Sequence, residues 1–186
     1  MIFGRQTHGV INGKPFYTMN GVVPMIKTNS QAQGSDISWD DLTEFLESVF
    51  RFNIKGMPNE RIAFCGNKVL QILAQMAAEN AHINITPTTT EFGLKINQWI
   101  SPFGNITLMS HPLFVENPVW TKNLLVLHPG AMKTRWLRKT MPDDYERAGT
   151  RAGKDADFGV LTSEMTIEYH AEKTAGYFTG IDTLAA

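Results

Sequence analysis

The 186-residue sequence contains a single cysteine, Cys65, which excludes a framework of disulfide bonds within the chain. No apolar run is long enough to span a bilayer, and no basic segment followed by an apolar one opens the sequence. Neither sign of charge is in excess, because 17 basic residues face 18 acidic ones, so a general attraction to nucleic acid is not expected. The composition predicts an intracellular protein without a membrane-spanning segment.

The sequence also lacks the motifs of common catalytic and nucleotide-binding sites. It contains no Gly-x-Gly-x-x-Gly, no phosphate-binding Gly-Lys-Ser/Thr loop and no Gly-x-Ser-x-Gly. The five histidines are scattered, and Cys65 lies in an apolar run typical of a buried core residue rather than a nucleophile. The sequence therefore predicts neither an enzyme nor a bound cofactor.

Two groups of side chains have spacings that a metal site could use. Asp40, Glu44 and Glu47 fall on one face of a predicted helix, although carboxylates are common at helix starts and a solvated acidic face is the favoured interpretation. A second group shares one face of a predicted strand: Glu168, His170 and Glu172. Because no further His or Cys stands at a ligand spacing, a charged solvent or interface face is favoured there too.

Hydrophobic residues make up 42% of the chain, enough for a core, and their spacing predicts two helices. The first begins at Ser38, which can form a capping box with Asp41, and carries an apolar stripe from Leu42 to Phe50. The second begins at Asn67 as a capping residue and continues with an apolar face from Val69 to Ala77.

Extended segments are predicted around these helices. Asn12-Gly13 indicates a hairpin turn, residues 21–26 an extended piece limited by Pro24, and residues 29–34 a loop. Further strands are predicted at 62–65, 92–100 with a bulge near Gln98-Trp99, 106–109, 124–127 and 134–137. Because strands and helices do not alternate regularly, the predicted fold class is α+β, with extended ends that pair as one elongated β element.

The region from Lys133 onward predicts a surface for contact with a neighbour. Residues 133–155 hold seven basic and four acidic residues, a balance of +3, and a glycine-rich loop covers 149–159. A long alternating strand follows, with Met165, Ile167, Tyr169 and Ala171 on one face. Mixed charges favour ion pairs between subunits, and the candidate interface residues are Arg135, Arg138, Arg147, Arg151, Lys154, Asp155, Glu168, His170 and Glu172.

Several short segments occur in a fixed order. They are Phe3-Gly4, Gly13-Lys14-Pro15, Phe92-Gly93-Leu94 leading to Trp99, Leu127-His128-Pro129, Trp136-Leu137-Arg138, residues 151–156, residues 164–168, Glu172-Lys173 and Thr179-Gly180. Taken together, this ordered set resembles the C-terminal half of the major capsid proteins of tailed bacteriophages.

The resemblance implies the Hong Kong ninety-seven type capsid fold. Residues 30–140 would form its axial domain, while residues 1–29 and 141–186 would supply the long strands of its peripheral domain. The family's N-terminal arm, extended loop and spine helix would precede Met1.

The implied function is that of a shell subunit of a tailed phage or prophage, either the major capsid protein or a truncated form of it. It would assemble in the bacterial host cytoplasm with copies of itself, as pentamers and hexamers of an icosahedral virion capsid around packaged DNA, which it would contact without specificity. The alternatives are a nanocompartment shell protein, a small metal-dependent hydrolase using Glu168, His170 and Glu172, and a soluble binding module.

Overall fold

A computed structural model describes residues 2–11, 13–34, 36–79, 85–91, 94–143 and 160–184. Within these ranges the helices are α1 (Val22–Met25), α2 (Trp39–Phe50), α3 (Asn67–Glu79) and α4 (Pro112–Glu116). The strands are β1 (His8–Ile11), β2 (Lys14–Tyr17), β3 (Ser30–Ala32), β4 (Asp36–Ile37), β5 (Glu60–Cys65), β6 (Ile85–Glu91), β7 (Leu94–Ser101), β8 (Gly104–Ser110), β9 (Leu124–Leu127), β10 (Met132–Asp143), β11 (Val160–Tyr169), β12 (Gly176–Thr179) and β13 (Thr183–Leu184). None of the described helices is long and apolar enough to cross a membrane.

A seven-stranded mixed sheet organises the molecule, with the order β3-β12-β9-β5-β8-β7-β6. The β3–β12 and β5–β8 pairs are parallel and the other neighbours are antiparallel. Strand β12 comes from the end of the chain yet lies inside the sheet, between β3 and β9. The mixture of sheet and helices without a repeated βαβ unit is an α+β fold, as predicted.

Helix α2 forms where the sequence predicts it, because its start and its buried stripe are both local. The Ser38 side chain accepts a hydrogen bond from the Asp41 backbone N–H, and the Asp41 carboxylate accepts one from the Ser38 N–H at 2.9 Å. The predicted stripe from Leu42 to Phe50 is buried against the sheet. Gly176 of β12 lies directly beneath this helix, where a Cβ atom would overlap Phe45 and Val49.

Helix α3 follows β5 and packs on the same face of the sheet. Its apolar residues Val69, Ile72, Leu73 and Met76 join the core that α2 forms with β5, β8 and β9. The helix already includes Asn67, so the prediction that Asn67 is the capping residue was wrong by one position. Instead the Gly66 carbonyl accepts the first helical hydrogen bond, from the Leu70 N–H.

The opposite face of the sheet is covered around β9 and β12. A second cluster of apolar residues there joins Leu125 and Leu127 of β9 to α1, α4 and the first residues of the chain. Phe3 stacks on Trp120 with ring centroids 3.9 Å apart and an interplanar angle of 14°. The N-terminal segment is therefore part of the folded body.

Two predictions for the N-terminal third were wrong. Residues 22–25 form a short helix rather than an extended piece, and Pro24 fits because the first turn of a helix has backbone N–H groups without intrahelical partners. Residues 30–32, predicted as loop, form the edge strand β3 because β12 offers them a parallel partner. A polar three-residue segment gives no local signal for such pairing.

The predicted hairpins are present with some differences. Strands β1 and β2 pair antiparallel around Gly13, whose φ of 75° suits a glycine, while Asn12 lies outside the described residues. Strands β7 and β8 form a tight hairpin in which Ser101 pairs with Gly104. The bulge predicted near Gln98 is absent from their continuous register, whereas a register shift separates Thr88 from Glu91 in the unpredicted strand β6.

The extended ends do not form one elongated element within the described residues. Strand β1 pairs with β2, β10 pairs with β11, and the last strands β12 and β13 pair with β3 and β4 respectively. The ends of the chain are thus joined through the central sheet and a short parallel pair.

Candidate subunit interface

Strands β10 and β11 form an antiparallel two-stranded ribbon, which we call the ribbon. Its inner half, residues 132–135 and 166–169, begins where β10 leaves the body just after β9. Its outer half comprises residues 136–143 and 160–165. The register shifts between Trp136 and Arg138, so Leu137 is an extra residue in β10, and it shifts again before Met141.

One face of the ribbon is polar and carries ion pairs. The Arg138 guanidinium donates two hydrogen bonds to Glu164, at 2.6 and 3.2 Å, and the Arg135 Nε–H donates to Glu168. The Arg135–Glu168 contact is diagonal, because Arg135 stands opposite Thr166. His170 Nε2 lies 3.1 Å from Glu168 as well.

These contacts set the charge state of both carboxylates. The hydrogen bonds from Arg138 lower the pKa of Glu164, and the hydrogen bond from Arg135 lowers the pKa of Glu168. Because the four side chains are partly exposed, the pairs add little to stability on their own. Their effect is to keep the polar face of the ribbon charged and ordered.

The other face of the ribbon carries large apolar side chains in both its inner and its outer half. In the inner half Met132, Ile167 and Tyr169 pack partly buried against the second apolar cluster. In the outer half Trp136 is 46% exposed and Leu161 72% exposed. In the same half, Leu137 at the bulge is 84% exposed and Met141 is 59% exposed. Met141 stands opposite Thr162 and therefore lies on the polar face. The outer half thus presents large apolar side chains on both of its faces.

An apolar groove lies where the inner half of the ribbon meets the central sheet. It has a volume of about 450 Å³ and is open to solvent. Ile62 and Phe64 of β5 and Leu127 of β9 line its sheet side, and Met132, Thr134 and Ile167 line its ribbon side. The polar residues in its lining are His111, Lys133 and Thr134.

The predicted strand ends sooner than the alternation of its residues indicates. Strand β11 stops at Tyr169, and Ala171 has a positive φ of 61°, which turns the chain. Glu172 then lies in a short 3-10 turn, so it does not share a strand face with Glu168 and His170. That part of the prediction was wrong, because Ala171 continues the polar–apolar pattern without marking the turn.

Glu172 instead connects the two ends of the chain. Its carboxylate accepts hydrogen bonds from the backbone N–H groups of Lys27 and Thr28, at 2.5 and 2.6 Å, and from the Thr28 hydroxyl at 2.9 Å. Burial by itself raises the pKa of Glu172, but the hydrogen bonds from Thr28 and Lys27 together lower it. Asn29 adds two bonds to the carbonyls of Lys173 and Ala175. We call this set of contacts the Glu172 clasp.

A buried arginine and a buried histidine lie near the inner end of the ribbon, and the sequence prediction missed both. Arg61 is fully buried, and its guanidinium donates to the carbonyls of Phe52 and Glu60 and lies 4.9 Å from the centroid of the Phe50 ring. Because Phe52 follows the last turn of α2, Arg61 places a positive charge at the negative end of that helix. Burial lowers the pKa of Arg61.

His128 is buried at the end of β9 in a neutral state. Its Nδ1 atom accepts a hydrogen bond from the Gly130 N–H at 3.2 Å, and its own backbone N–H donates to the Tyr169 hydroxyl at 3.4 Å. Burial and the nearby Arg61 charge lower the pKa of His128. The sequence offers no signal for this burial, since His-Pro-Gly is typical of an exposed turn.

Four of the predicted interface residues lie outside the part of the chain that the structure describes, namely Arg147, Arg151, Lys154 and Asp155. No group of three potential metal ligands occurs within the described part of the chain. Cys65 is buried, and burial raises the pKa of its thiol to about 12, so the thiol is an inert core residue as predicted.

Comparison with known proteins adds two findings. A family model described as SU10 major capsid protein matches residues 1–182. A curated relative, the major capsid protein of Pseudomonas phage PaMx41, is 21% identical over 201 aligned residues. The alignment covers 97% of this chain and 48% of that protein, so the chain spans about half the length of the curated relative.

Proposed function

The chain belongs to the SU10 major capsid protein family, and on that premise we propose that it is a structural shell subunit of a tailed phage or prophage, located in the virion capsid. Its work is self-association, without catalysis. The observation that carries the proposal is the family match over residues 1–182, which includes the ribbon with its exposed apolar residues. Large apolar side chains left uncovered on a single copy are typical of a protein–protein contact surface.

We further propose that the fold is of the Hong Kong ninety-seven type. In this proposal residues 30–140, with their sheet and flanking helices, form the axial domain, and strand β12 completes the sheet from the last segment. Residues 1–29 and 141–186 contribute the peripheral part. The mixed central sheet covered by α2 and α3 and the protruding ribbon are compatible with this division.

The partners in this proposal are other copies of the subunit, arranged as pentamers and hexamers and assembled in the host cytoplasm. The ribbon residues Arg135, Arg138, Glu164 and Glu168 would order the strand pair from which neighbouring copies are contacted. Packaged DNA would be met without sequence specificity. The basic side chains Arg135 and Arg138 favour this role weakly, because each is already paired with a carboxylate.

The metal-dependent hydrolase is disfavoured by a specific contact. Its proposed ligand Glu172 already uses both carboxylate oxygens on Lys27 and Thr28. A nanocompartment shell shares the expectation of self-assembly but encloses cargo protein. The named relative is a phage protein, which favours the phage shell.

Solution mass is the measurement that tests the proposal. Light scattering across a range of concentrations, with negative-stain images of the same fractions, should reveal rings of five or six, tubes or closed shells. The Glu44→Ala variant, altered on the exposed face of α2, serves as a matched control and should associate like the wild type. A chain that stays monomeric at every concentration would refute self-association as its function.

A further inference from the structure

The outer half of the ribbon lacks a covering surface within the described residues. Trp136, Leu137, Met141 and Leu161 are 46, 84, 59 and 72% exposed. Taking about 200 Å² for a fully exposed large apolar residue, these fractions leave on the order of 500 Å² of apolar surface in water. A two-stranded ribbon is at best marginally stable on its own, so a cover for this half would also stabilise it.

The apolar groove at the inner half is a concave surface of matching chemistry. Its lining is mainly apolar on both the sheet side and the ribbon side, and its volume of about 450 Å³ can hold two or more large apolar side chains. The far end of the outer half does not reach the groove of its own copy, because the extended strands lead away from it. Leu161 lies six residues along β11 from the groove residue Ile167, a separation of about 20 Å.

We infer that the outer half of the ribbon of one copy packs in the apolar groove of a second copy. The occupant is a copy of this chain because the projecting surface and the receiving surface are both present on each molecule. The apolar residues on both faces of the outer half, Leu161 on one and Met141 on the other, favour insertion into a concavity over contact with a flat surface. The inference rests on the proposed function and specifies the surfaces through which the shell subunits meet.

The contact is heterologous, because two different surfaces meet. A heterologous contact closes into a ring when its rotation allows, as shell pentamers and hexamers require, whereas one surface meeting itself gives only a twofold pair. Counting both sides, the contact would bury about 1,000 Å², which is the lower range of specific interfaces. Such a contact is weak alone and strong when it is repeated around a ring.

Cysteine cross-linking tests the geometry directly. One batch carries Leu161→Cys and the other carries Thr134→Cys, and the two are mixed and treated with a short bifunctional maleimide. The native Cys65 does not compete, because it is buried and its thiol has a pKa of about 12. We expect a covalent pair of one copy from each batch, and no such pair when Val10→Cys, on the exposed hairpin, replaces Leu161→Cys.

A substitution experiment supplies the energetic test. Replacing Leu137 and Leu161 together by serine should raise the concentration for half-association by about tenfold or more, since two buried leucines are lost from the contact. The Val10→Ser variant, which also changes an exposed apolar residue, should associate like the wild type.

The outcomes separate the inference from the proposed function. Suppose the wild type associates, but the Leu161→Cys and Thr134→Cys batches form no cross-link, or the double serine variant associates as strongly as the wild type. Either result overturns the inference and leaves the shell function standing. Cross-linking of Leu161→Cys to itself in place of Thr134→Cys would point to a twofold contact and would also overturn it. A wild type that remains monomeric overturns both.

Discussion

Replacing Glu172 tests whether the Glu172 clasp holds the two ends of the chain together. The carboxylate accepts two backbone hydrogen bonds on one oxygen and the Thr28 hydroxyl on the other, over a sequence separation of 144 to 145 residues. Hydrogen bonds to a charged group contribute about 1.5–3 kcal/mol each in favourable settings, but this site is only partly buried and water can reach the backbone groups. We therefore expect Glu172→Ala to lower the free energy of unfolding by about 2–3 kcal/mol.

Glu172→Gln should have a smaller effect. The glutamine carbonyl can still accept from both backbone N–H groups, and its amide can donate to the Thr28 hydroxyl, so mainly the charge is lost. A decrease of about 1 kcal/mol follows for this variant. Urea denaturation followed by circular dichroism, at a concentration where the chain is monomeric, measures both values. Glu44→Ala on the exposed face of α2 should change stability by no more than about 0.5 kcal/mol.

The pH dependence provides an independent check. The hydrogen bonds lower the pKa of Glu172 in the folded state, so its contribution is fully present above the unfolded pKa of about 4.3. It is lost as the pH falls through the folded pKa. The stability difference between wild type and Glu172→Ala should therefore shrink below pH 4. A difference under 0.5 kcal/mol at pH 7, on the scale of an ordinary surface substitution, or one that does not change in acid, would refute the reasoning.

Three further predictions concern the body of the fold. Ser38→Ala removes the capping box of α2 and should cost about 1 kcal/mol in urea denaturation; no loss would mean that Asp41 alone caps the helix. His128 is buried and neutral, and its pKa is lowered in the folded state, so below about pH 6.5 the unfolded state binds more protons than the folded state. The free energy of unfolding should therefore decrease as the pH is lowered below 6.5, and His128→Gln should reduce this pH dependence. Cys65 should react with a thiol reagent only after denaturation, and rapid labelling of the native chain would contradict its burial.

Local signals explain which elements of the fold could be predicted. Helix α2 has both a capping box at Ser38 and a full apolar stripe, so its sequence specifies it without help from the rest of the chain. Helix α1 has only four residues, too few to display a helical period, and strand β3 depends on β12, which lies more than 140 residues away. Elements of this second kind exist through tertiary pairing, which one sequence does not reveal.

The two strands that carry the candidate interface residues were predicted, but their register was not, and the interface itself stays a prediction. The charges of Arg135, Arg138 and Glu168 marked the ribbon as a polar surface. Regular pairing from Trp136 onward would place Leu137 opposite Glu164, and only the bulge at Leu137 brings Arg138 to that carboxylate. The groove was not predictable, because it brings β5 against the ribbon, and these segments lie about 70 to 100 residues apart in the sequence.

The position of β12 within the sheet has a consequence for biosynthesis. Strand β9 is buried at all four of its residues, and β12 covers one of its edges only after residues 176–179 have been synthesised. During translation the growing chain therefore carries an unpaired, wholly apolar strand edge, which is a template for aggregation. A chain cut short before Gly176 keeps that edge unpaired, so the sheet is protected against aggregation only once β12 has been synthesised.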